Sequence, residues 1–288
     1  MAAEPQTSVR SLKLTMQREK AKSATVFMGA GRITSALVAG LRLANDRRHI
    51  MVYDRNPGKM RVLRRASKVE IAPDLKSALR SAEILILAVR PHSVAEALQE
   101  LAASGSPLPR ICVSLAAGIP LAQLKTSLPT GLATRWVRAM PSPVSRMGRG
   151  LTALCFDRHF PARDRRTVRE LFSRVGTVIE ISEDVFDAFT ATYSSSHGYH
   201  ALATLSQAAN RAGLDEKTAL IAAAHALADG ISYWRESGLS LEELLHEAAT
   251  PGGIAAATMN AMDRAGFGRA VSRGLRAGID QARRNARR

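Results

Sequence analysis

Between residues 24 and 140 the chain switches about five times from a short apolar run to a segment with apolar residues at helical spacing. Few folds accept that alternation. Each strand must be followed by a helix that packs back onto the sheet, so the strands run mostly parallel and both faces of the sheet are covered. Strands buried on both faces read as continuous apolar runs rather than alternating ones. Ala24–Met28, Ile50–Tyr53, Val69–Ile71, Ile84–Val89, Ile111–Leu115 and Thr134–Arg138 have that character. Helices are expected over Thr34–Leu43, Pro57–Ala66, Leu75–Ala82 and Ser93–Ala102. Two more strands, Leu151–Phe156 and Thr177–Ile181, flank a helix near Arg163–Val175.

After Ser182 the strand-like runs stop. Asp184–Ala191, Ser195–Ala212, Glu216–Glu236, Leu241–Ala249, Ile254–Arg264 and Arg269–Arg284 all read as helices. Ser240 followed by Glu243 is a capping box at one of their starts. The expected organisation is a basic tail over residues 1–22, a doubly wound Rossmann-type α/β domain over 23–181, and an all-helical domain over 182–288. The second domain is Ala- and Leu-rich on several helix faces at once. Helices apolar all round need burial, and one small domain cannot bury all of them alone.

Gly29-Ala30-Gly31-Arg32-Ile33-Thr34 follows the first strand and opens the first helix. The first glycine allows a tight turn. The second lets backbone approach a pyrophosphate seated on the helix N-terminus. Asp54 closes the second strand, at the distance expected for an acid that accepts hydrogen bonds from the adenosine ribose. This combination of strand, glycine turn, helix and acid points to a dinucleotide, with NAD(P)H the expected cofactor. Asp54 would repel a 2′-phosphate, so NADH is expected to serve at least as well as NADPH. Adjacent Arg55 is either a phosphate ligand or a solvated loop residue.

Composition narrows the partners. The net charge is +16, and nine of those charges lie in Met1–Lys22 and Asp263–Arg288. A basic surface attracts polyanions in general. Without basic and aromatic residues interleaved, it reads as solvated surface rather than a nucleic-acid site. No apolar run is long enough for a membrane helix. Met1–Lys22 lacks the apolar centre of a secretory leader and is expected to be disordered. Cys112 and Cys155 sit in apolar stretches, which fits buried free thiols in a reducing cytoplasm. The seven histidines show no metal-ligand spacing, and no metal is expected.

Further segments carry a family resemblance. Leu87-Ala88-Val89-Arg90-Pro91, Ser114-Leu115-Ala116-Ala117-Gly118-Ile119, Arg138-Ala139-Met140-Pro141, Gly148–Leu154, Asp187–Ala191 and Thr250-Pro251-Gly252-Gly253 occur in order. They resemble the LAVKP, SIAAGI, RxMP, GxGxTAL, DAVTA and SPGG segments of pyrroline-5-carboxylate reductases. The resemblance implies a Rossmann domain, a helical domain that dimerises, and reduction of a cyclic imine to proline by NAD(P)H. It also implies that Gly29, Ala30, Gly31, Arg32 and Ile33 contact the pyrophosphate. Val89, Arg90 and Pro91 would line the cofactor cleft, and Ala116, Ala117 and Gly118 would lie near the nicotinamide. The family's SGSGPAY loop is altered here to Tyr193-Ser194-Ser195-Ser196-His197-Gly198-Tyr199. Only Ser195 and Tyr199 match. Ile254 and Ala255 stand where the family has two threonines, and Ser142-Pro143 replaces Asn-Thr.

Ser195, Ser196 and His197 are therefore the candidates to orient substrate or relay a proton. Two other readings stay open on the residues alone. One is a hydride-transfer enzyme for a keto or hydroxy acid, but Lys125, the lysine nearest the strand edges, falls in a surface helix. The other is a non-catalytic dinucleotide-binding relative that has lost its substrate pocket. Asp54→Ser should move cofactor preference toward NADPH. A wild-type preference for NADPH above about a hundredfold, about 2.7 kcal/mol, would contradict the role given to Asp54.

Overall fold

The computed structural model describes residues 24–128 and 135–287. The expected basic tail lies outside the described residues. The rest falls into two compact units, one running up to Ala191 and taking in Ile279 onward, the other Thr192–Gly278. The division thus comes ten residues later than a break at Ile181, and the end of the chain joins the first unit.

The first unit is a single eight-stranded sheet. Its strands are β1 (Ala24–Met28), β2 (His49–Tyr53), β3 (Glu70–Ile71), β4 (Ala82–Leu87), β5 (Ile111–Ser114), β6 (Arg135–Met140), β7 (Gly150–Phe156) and β8 (Gly176–Glu180). Their spatial order is β3-β2-β1-β4-β5-β6-β7-β8. All neighbours are parallel except β6 and β7. Only residues 141–149 join those two strands. A parallel crossover takes a dozen residues or more, so the chain turns back instead. A 3₁₀ turn at Pro143–Met147 and left-handed Gly148 make that reversal.

Side chains alternate across each strand and divide the core in two. Phe27, Ile50, Val52, Ile86, Val113, Val137 and Leu154 face one side. There they meet α1 (Arg32–Leu43), α2 (Pro57–Ala66) and, later in the chain, the helix Ala162–Ser173. Val26, Met51, Leu85, Cys112, Trp136 and Cys155 face the other side. They are covered by α3 (Leu75–Ser81), α4 (Val94–Ala103) and α5 (Leu121–Thr126). With α6 assigned to Ala162–Ser173, α7 (Glu183–Thr192) completes that second layer through Phe186, which is fully buried. Helices move from one face to the other where strand order reverses, between β1 and β4.

Buried Arg138 fastens α7 to the sheet. Its guanidinium lies 4.2 Å from the Phe186 ring centroid. It also pairs with Glu183 at 2.5 Å and Asp187 at 2.9 Å. A charge taken out of water needs such pairing, although the buried Nε of Arg138 is left without a hydrogen-bond partner. The Cys155 thiol, 3.4 Å from Glu183, completes the cluster. Burial, then the Glu183 charge, pushes this thiol up to about 12.

The second unit contains α8 (Ser195–Arg211), α9 (Glu216–Ser237), α10 (Leu241–Ala248), α11 (Ile254–Arg264) and the first part of α12 (Phe267–Ala286). The capping box at Ser240 and Glu243 is formed. Burial is sparse here, with Ala219 and Ala223 covered on α9. Ile231, Tyr233, Trp234, Leu245 and Ile254 stay exposed, Ile254 at 88%. No described helix is long and apolar enough to cross a membrane.

The last turns of α12 dock on the loop after β5. Gly118 there has φ +77, and a Cβ on it would lie 2.2 Å from the Ala282 carbonyl oxygen. Backbone cannot yield as a flexible side chain can. Gly118→Ala should therefore destabilise the first unit by about 2–4 kcal/mol in denaturant unfolding, combining left-handed strain with overpacking. A second expectation concerns Cys155. Its raised pKa makes the folded state favour the neutral thiol. That stability is complete below the ordinary pKa of 9.0 and is lost as pH rises toward about 12. The stability difference between wild type and Cys155→Ala, from urea melts, should fall across that window. Neither thiol should react with a disulfide reagent before unfolding, since both are buried.

Candidate functional site

The strand-order reversal between β1 and β4 opens a crevice at the carboxyl ends of the strands, where doubly wound sheets bind ligands. A cavity of about 550 Å³ occupies it. Its floor is the glycine turn after β1. Gly29 has φ +116, and a Cβ there would sit 2.5 Å from the Ala88 carbonyl oxygen. Its N–H donates to the Tyr53 carbonyl at 2.7 Å, and the Ala88 N–H donates to the Met28 carbonyl at 2.8 Å. The turn is thereby stitched to both neighbouring strands.

Gly31 is the N-cap of α1 and opens onto space, with nothing within 4 Å of a Cβ placed on it. No side chain caps this helix start, and its first turn holds no acidic residue. Arg32 and Ile33 line the cavity beside it. An uncapped helix N-terminus with a glycine at its edge and an arginine alongside fits a pyrophosphate. Ala30 differs from expectation. It is buried and absent from the cavity wall, and its N–H donates to Asp54 Oδ2 at 2.7 Å.

Asp54 does line the cavity. Its Oδ1 accepts from the Asn56 N–H at 2.8 Å. One carboxylate thus bridges the glycine turn and the start of α2, which Asn56 caps. Each oxygen accepts a single hydrogen bond here and has capacity for a hydroxyl donor. Arg55 lines the cavity too, but it is not a free cation: both its terminal nitrogens pair with Glu96 in the first turn of α4. That guanidinium holds the Glu96 carboxyl below the usual carboxylate range.

The far wall comes from the β4 edge and α4. Val89 and Arg90 line it. Pro91 does not, because it begins a 3₁₀ turn whose His92 and Ser93 face the cavity instead. Tyr53, Lys59 and Glu100 complete the wall. The Tyr53 hydroxyl donates to Glu100. Burial, helped by that carboxylate, pushes the phenol up to about 12 and keeps the proton on it. Glu96 and Glu100 stand four residues apart on one face of α4. That spacing was visible in the sequence, but the strand they would face was not.

Ala116, Ala117 and Gly118 are not brought to this cavity. They follow β5, one strand beyond the edge that the cavity spans. Gly118 lines a separate hollow of about 340 Å³ with Pro120, Arg138, Glu183, Asp187 and Arg283. Ser195, Ser196 and His197 belong to the second unit, at the start of α8. Ser194 is the N-cap, and its hydroxyl lies 2.7 Å from that of Ser196. The His197 N–H donates to the Ser194 carbonyl at 3.0 Å. Lys125 lies in α5 and pairs with Asp157, away from the cavity wall.

Comparison with known proteins covers both units. Residues 25–118 match a family profile described as NADP oxidoreductase coenzyme F420-dependent. Residues 183–285 match one described as pyrroline-5-carboxylate reductase dimerisation. The pyrroline-5-carboxylate reductase of Mycobacterium tuberculosis is 28% identical over 276 residues, covering 87% of this chain and 92% of that one. Among solved structures, pyrroline carboxylate reductase of Plasmodium falciparum with NADP bound superposes with a TM-score of 0.80. It is 19% identical and covers 92% of this chain and 98% of its own. An NADPH-bound reductive aminase from Aspergillus terreus reaches 0.55 at 17% identity, over 80% of this chain and 78% of its own. The pyrroline-5-carboxylate reductase of Corynebacterium melassecola is 30% identical over 260 residues, 88% of this chain and 96% of that one, and the chain belongs to the pyrroline-5-carboxylate reductase family.

Proposed function

We propose that this chain reduces 1-pyrroline-5-carboxylate, or a cyclic imine close to it, using a reduced nicotinamide dinucleotide. The observation that carries this is the open glycine turn and uncapped α1 at the switch point, in a chain matched to a pyrroline-5-carboxylate reductase along 96% of that relative. When bound, the cofactor supplies a hydride to the imine carbon. The protein's share is chiefly positioning, since a protonated iminium needs little acid help.

Gly29, Gly31, Arg32 and Ile33 hold the pyrophosphate in this proposal, and Asp54 receives the adenosine ribose. NADH then serves at least as well as NADPH. Ala116, Ala117 and Gly118 flank the nicotinamide, by resemblance. Ser195, Ser196 and His197 receive the substrate at the start of α8, where backbone N–H groups favour a carboxylate. Ile254 and Ala255 bring no hydroxyl to replace the family's threonines, so affinity for pyrroline-5-carboxylate itself is weak. The exposed apolar residues of α9, α10 and α11 are covered by a second copy of the chain. Two buried cysteines, Cys112 and Cys155, support a reducing cytoplasm as its setting.

The deciding experiment is oxidation of NADH and NADPH against a panel of cyclic imines. Turnover of at least one imine is expected. If both cofactors bind but no imine is reduced, the chain is a binding protein and not a reductase. On the best imine, Ser195→Ala and His197→Ala should each lower kcat/KM at least about tenfold, about 1.4 kcal/mol of transition-state stabilisation. Full activity in both variants would make the loop structural. Light scattering at micromolar concentration should give a mass of a dimer or larger; a monomer would leave the apolar faces of the second unit unexplained.

A further inference from the structure

The Arg55–Glu96 pair does little for the fold. Its side chains are 53% and 59% exposed, and ion pairs so open to water stabilise little. Its position is more informative. Arg55 follows Asp54 at the end of β2, which in doubly wound sites is where the ribose 2′ position falls. Arg55 lines the cavity, yet both its terminal nitrogens face Glu96 oxygens, Nη2 to Oε2 at 2.8 Å.

We infer that Glu96 is a specificity-determining residue that keeps Arg55 from acting as a receptor for the 2′-phosphate of NADPH. The inference rests on the cavity being a dinucleotide site. A planar fork binds a phosphate and a carboxylate in the same bidentate way, so the two anions compete for one face. A phosphate monoester also carries close to two negative charges. Seated on Arg55, it would lie among Glu96, Asp54 and Glu100. A ribose with free hydroxyls meets no such conflict and needs no fork. Lys59, Arg32 and Arg90 also line the cavity and do not depend on Glu96. The restraint therefore acts through Arg55 and should appear as coupling between residues 55 and 96.

The test is equilibrium binding of NADH and NADPH to the full chain, read by nicotinamide fluorescence with no imine present. Wild type, Glu96→Gln, Arg55→Ala and the double variant form the cycle. Glu96→Gln should tighten NADPH about tenfold while moving NADH by less than about threefold. Arg55→Ala should weaken NADPH less than about threefold in the wild-type background and at least about tenfold beside Glu96→Gln. Equal cost of Arg55→Ala in both backgrounds overturns the inference, as does an equal shift of both cofactors in Glu96→Gln. Retained NADH binding in those cases leaves the dinucleotide site standing. If wild type binds neither cofactor, the site assignment falls and the inference with it.

Discussion

The structure depends on β1 being hydrogen-bonded in parallel to β2 on one side and to β4 on the other. Chain order reverses across that strand, so the connecting helices leave on opposite faces and a crevice opens at its carboxyl end. Only a residue without a Cβ can turn there, because the Ala88 backbone presses against Gly29. The same crowding that requires glycine brings the free end of α1 to the crevice floor. Fold and candidate binding site thus follow from one packing constraint.

Charge around the crevice is more balanced than the +16 net charge suggests. Asp54 is spent partly on architecture, tying the glycine turn to α2. Arg55 is held by Glu96 and Tyr53 by Glu100. Arg32, Lys59 and Arg90 remain on the wall to meet phosphate. Arg138 shows what a cation does when it cannot reach solvent. It takes two carboxylates and an aromatic face, and in doing so fixes α7 against the sheet.

The second unit has a different economy. Three of its helices start on a side-chain cap, at Ser194, Asp215 and Ser240, so those starts are locally specified; α11 starts at Gly253 without one. Their sides are not covered to match. Large side chains such as Trp234 and Ile254 face solvent in one copy. Helices with exposed apolar flanks are what a domain built to meet a second surface looks like.

The sequence by itself determined the elements and their class. Apolar runs ended by turn residues and apolar positions at helical spacing are local signals, and β1, α2 and α11 fall where those signals place them. The glycine turn, Asp54 and the family segments were legible for the same reason: each is a contiguous motif. Only the tertiary structure decided what meets what. The antiparallel β7, the capture of Ala30 by Asp54, the Glu96 restraint on Arg55, the absence of Pro91 from the cavity wall and the return of α12 to Gly118 all join residues distant in sequence or facing unforeseen ways. Long-range pairing depends on how sheet and helices pack as a whole. No window of the sequence carries that information, because a side chain's partner across the sheet leaves no periodic mark on its own segment.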